Sequence, residues 1–161
     1  MGALDGRVAL VTGASRGIGA AIALAFGREG ATVAVNYHRS AERAADVVSA
    51  VEAAGSKARA LHADVRDGAA VRAMVEDALA TFGRIDVLVN NAGILNAVPF
   101  HEMSEAVWDE TISSNLRSVF LVTRAVLPHM LARGSGKIIN VSSQFGQKGF
   151  PGHTHYAAAK G

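Results

Sequence analysis

The sequence contains no cysteine. That excludes disulfides, thiolate nucleophiles and zinc–thiolate sites. Aromatic residues make up only 6 % of the chain, and the formal net charge is +2. Arginines and lysines are scattered, with no basic tract interleaved with aromatics, so no nucleic-acid partner is expected. No apolar run is long enough to span a bilayer, and no membrane partner is expected. The first residues, Met1-Gly2-Ala3-Leu4-Asp5-Gly6-Arg7, lack a signal-peptide core, which makes a cytoplasmic location the expectation.

What is present is alanine, valine and glycine. Half of the 161 residues are hydrophobic, enough for one domain, residues 1–161, with one sizeable core. Short β-type runs fall at Val8 to Thr12, Thr32 to Asn36, Ala58 to Ala63, Ile85 to Asn90 and Lys137 to Ser142. Between them lie helical stretches at 17–29, 40–54, 68–82 and 115–133, with a shorter one at 104–113. Ser40 and Ser104 read as N-caps, Asp67 precedes a helix, and Gly30, Gly55, Gly83 and Gly134 each follow one. This alternation predicts an α/β fold, a doubly wound parallel sheet of about five strands covered on both faces.

Two segments carry chemistry. Thr12-Gly13-Ala14-Ser15-Arg16-Gly17-Ile18-Gly19 follows the first strand and opens the first helix. Its glycines permit a tight turn and close approach to a diphosphate, and the helix N-terminus offers unpaired N–H groups. The spacing is Gly-x-x-x-Gly-x-Gly, and a turn needed only for helix–strand packing is the plainer alternative. Near the other end, Tyr156 and Lys160 stand four apart, on one face of a helix. An ammonium beside a phenol favours the phenolate and pulls its pKa below about 10, giving an acid or base usable near neutrality.

These motifs, with Asp64-Val65 after the third strand, Asn90-Asn91-Ala92-Gly93 ending the fourth, Asn115 in a long helix and Ser143 thirteen residues before Tyr156, resemble the short-chain dehydrogenase/reductase family. The resemblance covers residues 6 to 161. The glycine loop and body are most similar to its 3-oxoacyl-carrier-protein reductases and the glucose and sugar-alcohol dehydrogenases near them. It implies a Rossmann-type fold and hydride exchange between a nicotinamide cofactor and a small ketone or secondary alcohol.

In such a protein Gly13, Ser15, Arg16, Gly17, Ile18 and Gly19 would cradle the diphosphate. Asp64 would meet the adenine amino group, with Val65 beside the ring. Asn91, Ala92 and Gly93 would approach the ribose, while Asn90 ties strands together and Thr12 bonds to that segment. Ser143 would hold the substrate oxygen and Tyr156 exchange its proton. Lys160 would bond the nicotinamide ribose, and Asn115 would position a water leading from Lys160 to solvent. Where NAD-specific members carry an acid at the end of the second strand, this chain has Asn36, with Arg16 and Arg39 available to clamp a 2′-phosphate. NADP(H) is therefore preferred, with NAD(H) open. Each position also has a plainer reading: Asp64 as a loop-ordering residue, the two arginines as solvated, Ser142-Ser143 as a polar strand end, Tyr156–Lys160 as a surface pair.

His153-Thr154-His155 lacks a third ligand at a recognisable spacing, and no metal is assigned. Trp108 and Met103 read as packing residues, whereas Phe145, Gln147 and Phe150 are placed to touch substrate. The family implies a homo-oligomer, a dimer or tetramer, built on the helix of Tyr156. Because such domains have about six strands or more, five strands imply an incomplete domain, poorly stable and feebly active. A non-catalytic nucleotide-binding module is the alternative; a nucleotide-sugar epimerase or dehydratase fits the glycine spacing less well.

Overall fold

The computed structural model describes residues 2–161. Five parallel strands form one sheet in the order β3-β2-β1-β4-β5. They are β1 (Val8–Val11), β2 (Thr32–Tyr37), β3 (Ala58–His62), β4 (Val87–Asn90) and β5 (Lys137–Asn140). The helices are α1 (Gly17–Arg28), α2 (Ala41–Ala53), α3 (Gly68–Phe82), α4 (Glu105–Ile112), α5 (Ser118–Ala132), α6 (Gln144–Lys148) and α7 (Thr154–Lys160). The doubly wound α/β expectation is met.

Strand alternation divides the core. Ala9, Val11, Val33, Val35, Val87 and Val89 pack with Ala23 of α1 and Ala44 and Val51 of α2. Leu10, Leu61 and Leu88 point the other way, onto Val71, Met74 and Val75 of α3 and Val122, Val126 and Met130 of α5. Successive side chains of a strand face opposite sides, so a sheet covered twice needs apolar residues at every position. All four residues of β1 are buried, as are all four of β4. Truncating a side chain such as Leu88, fully buried, to alanine costs about 3 kcal/mol. β5, at the sheet edge, is exposed along its length.

The chain leaves β1 toward β2 and β3, then returns to the other side of β1 with β4. The crevice beyond the carboxyl ends of β1 and β4 is where such sheets bind ligands. The glycine loop and Asn90–Gly93 both emerge there.

Local chemistry explains the caps. Asp67 accepts the N–H groups of Ala69 and Ala70, and Ser104 accepts that of Val107. Ser40 takes the N-cap position of α2 as expected, its carbonyl accepting Ala44 N, but its side chain makes no cap bond. The helix expected at 115–133 is corrected, because Ser113–Arg117 is a π turn joining α4 to α5. Inside it Asn115 Nδ2 donates to Thr111 O at 3.0 Å, satisfying a carbonyl where the helical ladder is widened.

Candidate active site

The glycine loop is held from two strands. Gly13 has φ +62°, and a Cβ there would lie 2.8 Å from Ala92 Cα, so only glycine allows this approach. Thr12 Oγ1 donates to Val89 O at 3.2 Å and accepts the N–H groups of Asn91 and Ala92, both at 3.0 Å. Asn91 Nδ2 donates to Thr12 O at 2.9 Å and Gly13 O at 3.2 Å. Asn91 thus spends its amide N–H groups on the loop.

Beyond the loop, α1 starts at Gly17, and Arg16 in the N-cap position supplies no side-chain acceptor. The first-turn N–H groups are therefore not capped from within, as an anion site requires. Ser15 and Gly17 border that end. Ile18 stands 65 % exposed at it, an apolar face next to the N-terminus.

Asn36 departs from the sequence expectation. It is buried, its Oδ1 accepts Gly13 N at 3.1 Å, and its Nδ2 donates to Leu61 O and Ala63 O, both at 3.2 Å. It shapes the loop from beneath and offers no free polar atom to a 2′-phosphate. Arg16 and Arg39 are both exposed. Among the described residues, neither pairs with a carboxylate.

Asp64 is gripped by Arg66, whose NH2 lies 2.7 Å from its Oδ2 and whose backbone N–H lies 3.0 Å from its Oδ1. The hydrogen bond from Arg66 is the main reason its carboxyl is lowered to about 2, against the opposing effect of burial. This is a loop-ordering Asx turn. His38 Nε2 lies 3.7 Å away. Val65 is buried in the core beneath.

The other half of the site comes from the segment after β5 and from α7. Ser143 caps α6, its Oγ accepting Phe145 N at 3.2 Å, which leaves the hydroxyl proton free to donate. Phe145 meets Tyr156 edge-on, with ring centroids 6.3 Å apart. Lys160 Nζ donates to Val141 O at 2.7 Å and lies 6.0 Å from the centre of the Tyr156 ring, at the reach of a cation–π contact. Burial pushes the Lys160 ammonium below its ordinary pKa. Asn115, buried in the π turn, accepts Ile94 N at 3.1 Å, and Gly93 packs directly on its oxygen. It braces the strand-4 loop and belongs to the turn against which α7 packs. Asn90 bridges to Asn140 at 2.9 Å and Thr123 at 3.0 Å, tying β4 to β5.

Sequence reasoning missed Ser142 and Gly146, which touch Lys160, and the burial of His155. The Ser142-Ser143 pair was a signal for the first; nothing marked the others. Phe145 and Phe150 stack at 4.7 Å beside Tyr156, where Phe150 is exposed. A groove of about 850 Å³ along Leu116, Phe120, Thr123 and Leu127 includes none of the expected site residues.

The helix N-terminus after the glycine loop is uncapped, as an anion site requires, and the segment after β5 and α7 carry a hydroxyl, a phenol and an ammonium. Comparison with known proteins agrees. The chain is 47 % identical over 152 residues to the 3-oxoacyl-[acyl-carrier-protein] reductase FabG of Staphylococcus aureus, covering 94 % of this chain and 62 % of that protein. It is 47 % identical over 160 residues to the 3-oxoacyl-[acyl-carrier-protein] reductase of Synechocystis, covering 99 % and 65 %. The chain thus spans less than two thirds of the length of these relatives. A crystal structure of a dehydrogenase/reductase from Sinorhizobium meliloti superposes with a TM-score of 0.92 at 40 % identity, covering 98 % of this chain and 62 % of the other. The sequence model of the short chain dehydrogenases matches residues 7–161, and to that family the chain belongs.

Proposed function

We propose that residues 1–161 form one NADP(H)-binding domain that interconverts a small ketone and a secondary alcohol, as a 3-oxoacyl thioester reductase does. The reading is supported by the segment after β5, which carries Ser143 and reaches both Lys160 and Tyr156. Residues 141–145 bond Lys160 on one side and meet Tyr156 edge-on at the other. The cofactor, when bound, supplies or accepts the hydride.

The chain's own groups do the rest. The first-turn N–H groups of α1 and the backbone around Gly13 hold the diphosphate, and Ile18 covers the dinucleotide's apolar side. Arg16 and Arg39, exposed and without acidic partners, take the 2′-phosphate, which favours NADP(H) over NAD(H). Asp64 and Val65 meet the adenine; Ala92 and Gly93 border the ribose.

Ser143 donates its free hydroxyl proton to the carbonyl oxygen. Tyr156 gives that oxygen its proton as the carbon accepts hydride, so ketone, hydride and proton become a secondary alcohol. Lys160 stabilises the resulting phenolate and returns a proton to it. A water at Asn115 links Lys160 to solvent. In the oxidative direction Tyr156 takes the proton instead. A homo-oligomeric assembly and a cytoplasmic setting complete the proposal; no helix among the described residues is long and apolar enough to cross a membrane.

The test is titration with NADPH and NADH, then turnover on ketones that include a 3-oxoacyl thioester. The proposal expects tighter NADPH binding and ketone-dependent NADPH oxidation. Binding without turnover favours a non-catalytic nucleotide-binding module, the second reading. Binding of neither dinucleotide contradicts both.

A further inference from the structure

Three positions after β5 converge on one residue. Lys160 Nζ donates to Val141 O at 2.7 Å, and Ser142 Oγ donates back to the Lys160 carbonyl at 2.6 Å. Gly146 of α6 lies against that same carbonyl so closely that a Cβ would overlap it. Ser143 sits among these three positions.

We propose that Ser142 is a positioning residue, whose hydroxyl fixes the Lys160 backbone to the segment carrying Ser143, so that the ammonium and the substrate-binding hydroxyl move as one body. The clamp stands on geometry alone; its consequence for catalysis rests on the function proposed above. Without the hydroxyl, the Lys160 backbone loses its bond to this segment, and the link left is the lysine side chain, whose stem has four rotatable bonds. A small drift of the helix then moves the ammonium away from Val141 and from the Tyr156 ring. Misplacement of about 1 Å in such a set can cost on the order of a hundredfold in rate. Ser142 is exposed, so alanine there removes a hydrogen bond and little packing.

The chain has four lysines, Lys57, Lys137, Lys148 and Lys160, which makes it suited to NMR with 13Cε-labelled lysine. Lys160→Arg identifies the Lys160 signal, whose titration is compared in wild type, Ser142→Ala and Ser142→Thr. The expected result is that alanine moves the Lys160 titration toward that of an ordinary exposed lysine. It also lowers kcat by about tenfold with little change in KM. Threonine, which keeps the hydroxyl, restores both. A Lys160 titration unaltered by alanine, or a threonine variant that behaves like alanine, overturns the proposal. If the wild-type chain reduces no ketone, the NMR titration still decides the clamp, and the oxidoreductase reading falls separately.

Discussion

The side-chain oxygen of Asn36 accepts the Gly13 N–H at 3.1 Å, while its amide nitrogen donates to two carbonyls of the third strand's end, Leu61 and Ala63. One buried side chain thus joins β1's loop, β2 and β3. Replacing it with aspartate, the obvious route to NAD specificity, would keep the first bond and set a carboxylate against two carbonyl oxygens. The expected outcome for Asn36→Asp is a loss of about 2 kcal/mol in unfolding free energy rather than a cofactor switch. Urea unfolding together with the NADPH/NADH affinity ratio checks it.

Cofactor preference should instead answer to the two unpaired arginines. For Arg16→Ala and Arg39→Ala the expected effect is a roughly tenfold weaker affinity for NADPH, the scale of one charge-assisted hydrogen bond, with NADH little affected. The NADPH effect should shrink as salt rises. Isothermal titration at two ionic strengths measures both.

At the opposite end of the sheet, Asp86 is buried and bonded by Arg84, by Arg133 at 3.0 Å and by Val8 N at 2.9 Å. Burial would raise its pKa, but these hydrogen bonds outweigh it and bring it down to about 2. Its folded pKa lies below the unfolded value, so its stabilisation is full above about pH 4 and disappears as pH falls toward 2. The contribution is roughly 2 kcal/mol. In Asp86→Asn that acid-dependent part should vanish, seen as a flatter urea midpoint between pH 5 and pH 2.5.

His155 makes a second, different pH prediction. It is fully buried beside Tyr156, and neither ring nitrogen has a partner among the described residues. Burial lowers its pKa, with a smaller push from His153. The facing helix α4 carries Glu105, Asp109 and Glu110, all exposed, and the π turn carries Arg117, also exposed. A depressed histidine stabilises the fold fully above its unfolded pKa, near 6.5, and less as pH falls below that. α7 should therefore loosen in mild acid. Trp108, the single tryptophan, lies on α4, against which α7 packs. Its emission should shift between pH 7 and pH 5 in wild type and hold steady in His155→Leu.

The sequence made much of this visible, for reasons particular residues show. The central strands announce themselves because they are covered on both faces: Val8–Val11 and Val87–Asn90 are buried throughout. Strand ends were read one or two residues too long at Thr12 and Ser142, whose side chains bond backbone carbonyls outside their own strands, and at Ile85, which packs in the core before β4 begins. The π turn at Ser113–Arg117 has no signature in helical periodicity, because it changes hydrogen-bond partners and leaves composition alone. Asn36 and Asn91 looked like ligands for a cofactor; both prove to spend amide protons on backbone carbonyls, a choice only packing reveals. The approach of Gly146 to Lys160 is equally a matter of how two helices dock.

A crystal structure of the chain soaked with NADPH tests the central claim most directly. The account predicts the diphosphate on the backbone of Gly13–Gly19 and the nicotinamide carbon that carries hydride within about 4 Å of a carbonyl position shared by the Ser143 and Tyr156 hydroxyls. A dinucleotide bound outside that crevice, or one whose nicotinamide points away from Tyr156 and Lys160, would contradict it.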